Sequence, residues 1–171
     1  LDSSAMALAT VDKNHQPSVR IVLLKGFDER GLCWFTDTHS EKGQALADYA
    51  QAELLFHWRE LDRQVRIRGP VTALPVEEVD NYFYSRPLGS QLAAAASNQS
   101  KIVSDRATLD ARYADLASRY ASRAPRPERW GGYRLSPAQY EFWQGRPGRL
   151  HDRIQYVLSA SGQWTIQRLQ P

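Results

Sequence analysis

Short apolar runs of strand length, each bounded by turn signals, recur from residue 6 to residue 169, and this recurrence narrows the fold more than any other feature. Residues 6–11 and 18–25 flank a polar turn and predict a hairpin. Residues 26–31 read as a turn into a strand at 32–36, and residues 52–58 and 63–74 form a second hairpin across 59–62. Gly69-Pro70 inside that arm predicts a bulge or a sheet edge. Trp130 to Tyr133 opens another strand, 139–144 is the next, and 149–159 pairs with 163–169. Helical signals are confined to the middle. Ser40 is placed to cap a helix to about Tyr49, Pro75 to start one that Arg86-Pro87 stops, and Ser90 to cap another over 91–96. Leu109, Tyr113, Leu116 and Tyr120 recur at helical spacing within 102–123, which predicts an amphipathic helix packed on the sheet. About eight strands in hairpin order with two or three inserted helices predict a mainly β (α+β) antiparallel barrel with helices at one end.

The 171 residues fit one domain, and 42% hydrophobic with 24% charged residues describes a chain able to bury a sizeable core. No apolar run reaches bilayer-spanning length, so no membrane span is predicted. The chain starts at Leu1 without a basic-then-apolar leader, and the missing Met predicts a segment removed upstream. A single cysteine, Cys33, lies in an apolar run, so no internal disulfide forms and a reducing cytoplasm is the expected setting. Arg supplies 18 of the 22 basic residues at a net charge of only +3, which suits recognition of phosphate or carboxylate and equally suits a GC-rich genome. Neither a Lys/Arg block nor zinc-ligand spacing is present, so no nucleic-acid partner and no metal are expected.

Chemistry-bearing residues gather in four places. In 141–153, a turn at Gly145-Arg146-Pro147-Gly148 leads into Arg149, Leu150, His151, Asp152, Arg153. Read as a strand, this puts Arg149, His151 and Arg153 on one face, either as a site for an electron-rich ligand or as a solvated surface. Arg20 and Lys25 bracket the apolar run Ile21, Val22, Leu23 and Leu24, which predicts a buried strand with charged ends. Two stretches could seat phosphate: Thr36, Ser40 and Lys42 at one helix start, and Tyr82, Arg86 and Ser90 around another. Tyr82 and Arg86, four apart, are expected on one helix face.

Taken together, RIVLLK from Arg20, RQVRI from Arg63, YFYSRPLGSQ from Tyr82, and EFWQG with RLHDR from Glu141 resemble the pyridoxine/pyridoxamine 5'-phosphate oxidases over essentially the whole chain. The resemblance implies an FMN-binding split β-barrel, a homodimer that holds flavin between subunits, and oxidation of a phosphorylated B6 vitamer by molecular oxygen. It implies FMN contacts from Arg20, Ile21, Val22, Leu23, Leu24, Lys25, Phe35, Thr36, Lys42, Gln64, Gln99, Ser100, Trp143 and Arg153, with Gln99 and Ser100 reaching the other subunit's flavin. Substrate phosphate falls to Lys25, Tyr82, Arg86 and Ser90, while Arg149 and His151 become the catalytic pair beside the pyridine ring. Glu41 stands where relatives commonly carry a basic residue, and the N-terminal helical segment usual in the family is missing.

Overall fold

Hairpin order persists in the folded chain. The computed structural model describes residues 2–171. Among them run β1 (Ala5–Val11), β2 (Pro17–Leu23), β3 (Gly26–Asp28), β4 (Gly31–Asp37), α1 (Glu41–Asp48), β5 (Gln51–Trp58), β6 (Arg63–Ala73), α2 (Val76–Ser85), α3 (Leu88–Ala96), α4 (Arg106–Arg119), β7 (Trp130–Leu135), β8 (Gln139–Gln144), β9 (Asp152–Leu158) and β10 (Trp164–Arg168). The architecture is mainly β with inserted helices, as expected, but with ten strands among the described residues instead of about eight. The chain divides into two compact units: one of Leu1–Trp34, Ala45–Thr72 and Arg134–Pro171, the other of Phe35–Gln44 and Ala73–Tyr133.

The first unit carries the antiparallel path β10-β9-β8-β6-β5-β1-β2. Alternation explains its core: Met6, Leu8 and Thr10 turn inward from β1, and Ala52, Leu54 and Phe56 from β5. Trp34, Leu54 and Leu135 are fully buried there. Three expectations are corrected in this unit. β2 ends the path, and Val19 and Ile21 are each 68% exposed, so the run Ile21 to Leu24 is not a buried strand. An edge strand has one partner and can leave one face open. Residues 26–28 are not a turn but β3, paired with β4 through Gly26–Cys33 and Phe27–Leu32. Its tight return needs Gly31, at φ +135, because an added Cβ would lie 2.0 Å from the Leu135 carbonyl oxygen. Finally, of the bulge or edge expected at Gly69-Pro70 the bulge is absent, since β5 and β6 pair in unbroken register through both, while the pairing of β6 with β8 stops at Arg68. Gly69 is required instead by close approach, since a Cβ would meet the Ser136 oxygen at 1.9 Å.

In the second unit, Val79, Phe83, Leu92, Ala124 and Trp130 are buried. Pro87, not Ser90, sits at the N-cap of α3, because its fixed φ already starts the helix; Ser90 falls in the first turn, its N–H bonded to the Pro87 carbonyl. α4 begins four residues later than 102, where Asp105 accepts from the Thr108 N–H at 2.7 Å. It buries no residue; Tyr113 is 38% exposed, with its hydroxyl within 3.3 Å of where a Cβ on Gly89 of α3 would stand. The helix thus borders α3. Among the described residues no helix is long and apolar enough to cross a membrane.

Candidate functional site

The first phosphate seat read from the sequence is assembled within the second unit. β4 ends in Phe35, Thr36 and Asp37, and the chain turns into α1 through Ser40, whose Oγ accepts from the Gly43 N–H at 3.4 Å and so caps the helix as expected. Lys42 is buried in the first turn, its Nζ 3.2 Å from Thr36 Oγ1, 3.2 Å from Ser40 Oγ and 2.9 Å from Gln99 Oε1. Thr36 Oγ1 also donates to Gln99 Oε1 at 2.8 Å. A buried ammonium ringed by hydroxyls and an amide is a donor set that fits a phosphoryl oxygen. Ser100 follows at φ 67, a left-handed conformation uncommon for serine and often kept at ligand sites. Glu41 is exposed while Lys42 is not, so the acidic side chain lies on the solvent side of α1.

The second seat lies in the same unit. Phe35 stacks on Tyr82 with centroids 4.0 Å apart and on Trp130 at 5.4 Å, all three rings nearly parallel. Gly132 permits this, since a Cβ there would come within 2.7 Å of the Phe35 ring. Arg86 does not extend the helical face of Tyr82. It is the C-cap of α2 at φ −74, ψ 150, because a residue before proline leaves the helical region. Its guanidinium lies over Trp130 at 4.9 Å and Phe83 at 5.6 Å. Gln91, buried, donates to the Arg86 carbonyl at 2.8 Å and accepts from the Ala124 N–H at 3.1 Å, so Arg86 is held from its backbone. Nη1 of Arg86 is buried and, among the described residues, has no hydrogen-bond partner. Burial lowers the guanidinium pKa, a shift Tyr82 opposes in part. An orphaned cationic donor of this kind is costly without an anionic ligand. Trp130 and Gln91 were not singled out from sequence; both act through contacts that no local motif signals.

In the first unit, register places three of the expected flavin contacts in one row. Gln64 on β6 pairs with Trp143 on β8, which pairs with Arg153 on β9. Arg153 donates from Nε to Glu141 Oε1 at 2.8 Å and from Nη1 to the Gln170 carbonyl at 3.0 Å. Arg20 donates to Thr10 Oγ1 at 2.8 Å and to the Leu8 carbonyl at 3.1 Å, while Lys25 is exposed.

The strand proposed for 149–159 begins only at Asp152, so Arg149, His151 and Arg153 are not one face of a strand. Pro147, Gly148 at φ 69 and Arg149 at φ 63 prolong the turn through left-handed backbone. The backbone N–H of Arg146 then donates to His151 Nδ1 at 3.1 Å, and the imidazole rests against Trp143 with centroids 4.8 Å apart. Nδ1 is thereby an acceptor, which puts the proton of the neutral ring on Nε2. Asp152 holds the same turn through Arg146 at 2.7 Å and Arg168 at 2.5 Å. Arg149 is exposed, and among the described residues its guanidinium makes no hydrogen bond or ion pair.

Comparison with known proteins bears on what these groups serve. Residues 1–128 match the family model described as pyridoxamine 5'-phosphate oxidase, and residues 130–171 match the pyridoxine 5'-phosphate oxidase C-terminal dimerisation region. The chain is 57% identical to a pyridoxine/pyridoxamine 5'-phosphate oxidase of Ralstonia pickettii (strain 12J), over 98% of this chain and 79% of the relative. It is 53% identical to one from Herminiimonas arsenicoxydans, over 99% and 81%. Among solved structures, PhzG from Burkholderia lata 383, in complex with tetrahydrophenazine-1-carboxylic acid, superposes with a TM-score of 0.95 at 34% identity, over 100% of this chain and 84% of that one. A pyridoxamine 5'-phosphate oxidase-related, FMN-binding protein from Nostoc punctiforme PCC 73102 shares the fold at a TM-score of 0.79 and 18% identity, over 100% and 89%.

Proposed function

Because the chain belongs to the pyridoxamine 5'-phosphate oxidase family and has its split β-barrel fold, we propose that it oxidises pyridoxine 5'-phosphate, or pyridoxamine 5'-phosphate with water added and ammonia released, to pyridoxal 5'-phosphate, with FMN as cofactor and oxygen reduced to hydrogen peroxide. FMN, when bound, would supply the two-electron acceptor for the hydride lost from the substrate C4' carbon and pass those electrons to oxygen. The chain's own residues bind and orient. Lys42, Gln99, Ser100 and Arg20 take the cofactor phosphate in this reading, and Phe35, Thr36, Gln64, Trp143 and Arg153 take the rest of it. The residues from Ile21 to Lys25 are proposed to run along the cofactor. Arg86, with Tyr82, Ser90 and Lys25, takes the substrate phosphate. Arg149 orients the pyridine ring, and His151 offers its Nε2 proton as a hydrogen-bond donor to the substrate while Arg146 keeps Nδ1 occupied. A match to the dimerisation region supports a homodimer as the working form, and a cytoplasmic setting belongs to the same proposal.

The observation that carries this reading is the buried, unpartnered Nη1 of Arg86, which a phosphorylated substrate would satisfy. One specific likeness favours a second reading, oxidation of a reduced phenazine: the similarity to PhzG at 34% identity. The two separate by substrate. Purified protein loaded with FMN is given pyridoxamine 5'-phosphate, unphosphorylated pyridoxamine or a reduced phenazine carboxylic acid. Turnover of the phosphorylated vitamer alone is expected; turnover of the phenazine alone would replace this reading with the second.

A further inference from the structure

A charged ladder crosses four strands of the first unit. Glu53 on β5 accepts from Arg68 at 2.8 Å and from Arg66 at 2.6 Å, both on β6; Glu141 on β8 accepts from Arg66 at 3.3 Å and from Arg153 on β9 at 2.8 Å. Register explains it: Glu53 pairs with Arg68 and Glu141 with Arg66, while Arg153, opposite Trp143, reaches Glu141 on the diagonal. Glu141 is 4% exposed, and a carboxylate removed from water to that degree is costly unless fixed cations compensate its charge. Glu53 draws Arg66 away on its other side, so the closest compensation for Glu141 is Nε of Arg153. With Nε on Glu141 and Nη1 on the Gln170 carbonyl, the guanidinium plane is pinned at two points, and among the described residues Nη2 has no partner.

We propose that Glu141 is a positioning residue: it fixes the guanidinium of Arg153 for a ring ligand lying on the Gln64–Trp143–Arg153 row, and its charge sets how strongly Arg153 stabilises electron density on that ring. This rests on the reading that the ring belongs to FMN. Geometry and charge are separable in Glu141→Gln, which keeps an oxygen for Nε and removes the negative charge. Arg153 then presents a less neutralised cation, so the reduced, electron-rich flavin is held more tightly relative to the oxidised one. Roughly a tenfold change in that ratio is expected, and it reads as a midpoint potential raised by about 30 mV for a two-electron couple.

The experiment is spectroelectrochemistry of the FMN-loaded protein, with FMN affinity measured by flavin fluorescence, on wild type, Glu141→Gln, Arg153→Ala and the double variant. The upward shift is expected in Glu141→Gln and should vanish in the Arg153→Ala background, because Glu141 acts through Arg153. A purely structural role would move the melting temperature without this coupling. An unchanged potential in Glu141→Gln with FMN bound, or a shift that persists without Arg153, overturns the proposal and leaves the functional reading standing. Wild type that takes up no FMN overturns both. Should Glu141→Gln fail to fold, Glu141→Asp decides. It keeps the charge but withdraws its reach, so it should weaken FMN binding about tenfold, and unaltered affinity would overturn the proposal.

Discussion

Replacing Arg86 with Ala should separate ligand binding from stability, because the two effects have different sources. In the ligand-free chain, Nη1 of Arg86 is buried without an acceptor, a cost of about 1–3 kcal/mol that the substitution removes. The guanidinium also lies 4.9 Å from the Trp130 centroid and 5.6 Å from that of Phe83, contacts worth about 0.5–2 kcal/mol that the substitution forfeits. These nearly cancel. The melting temperature of the ligand-free protein should therefore change by no more than about 4 °C, since about 1 kcal/mol moves a domain of this size by roughly 2–4 °C. Binding behaves otherwise. A phosphate that completes a charge-assisted hydrogen bond gains about 1.5–3 kcal/mol, so its loss should weaken pyridoxamine 5'-phosphate by roughly 10- to 150-fold. The assay is isothermal titration of FMN-loaded protein with the phosphorylated vitamer and, as control, with unphosphorylated pyridoxamine, whose affinity should not change. Equal losses for both vitamers would mean that Arg86 supports the fold of the site. No loss for the phosphorylated one would remove Arg86 from phosphate recognition.

Burial raises the Glu53 pKa, but hydrogen bonds from Arg66 and Arg68 outweigh it and the net shift is downward, so Glu53 stabilises the fold above its unfolded value of about 4.3 and this contribution is lost as pH falls through the lower folded value. Urea melts of Glu53→Gln should show a smaller loss of stability between about pH 5 and pH 3 than wild type, and identical acid profiles would refute the assignment. Gly31→Ala should cost about 3 kcal/mol or more, a fall of roughly 6–12 °C in melting temperature, because φ is +135 and the new Cβ would stand 2.0 Å from the Leu135 oxygen; an unchanged melt would show that the β3–β4 return relaxes freely. Nitrogen NMR of His151 at neutral pH should report the proton on Nε2, since Nδ1 accepts from the Arg146 N–H, and an Nδ1–H signature would mean that this turn is not formed in solution.

Strands with clean alternation were legible in the sequence. β8 falls at Gln139–Gln144 as expected, and β1 and β5 differ by one residue at one end. β3 escaped because three residues starting at Gly26 carry no period. The exposure of β2 escaped because an apolar run does not say whether its strand lies at an edge. Turn chemistry misled at both proline sites: Pro87 starts α3 ahead of Ser90, and Pro147-Gly148 carries the turn past Arg149, so His151 precedes β9 instead of lying in it. Of the candidate site, the Thr36–Ser40–Lys42 grouping could be read locally because the helix cap brings those residues together. The bond between Lys42 and Gln99 spans 57 positions, and the pairing of Glu141 with Arg66 spans 75, distances that only tertiary structure and register close.

Adding pyridoxamine 5'-phosphate to air-equilibrated, FMN-loaded protein and measuring hydrogen peroxide and pyridoxal 5'-phosphate together decides whether the chain is this oxidase. The two products should appear in equimolar amounts and depend on both FMN and the substrate phosphate. FMN bound at the site with neither product formed would leave a flavin-binding split barrel without this turnover and rule out the oxidase.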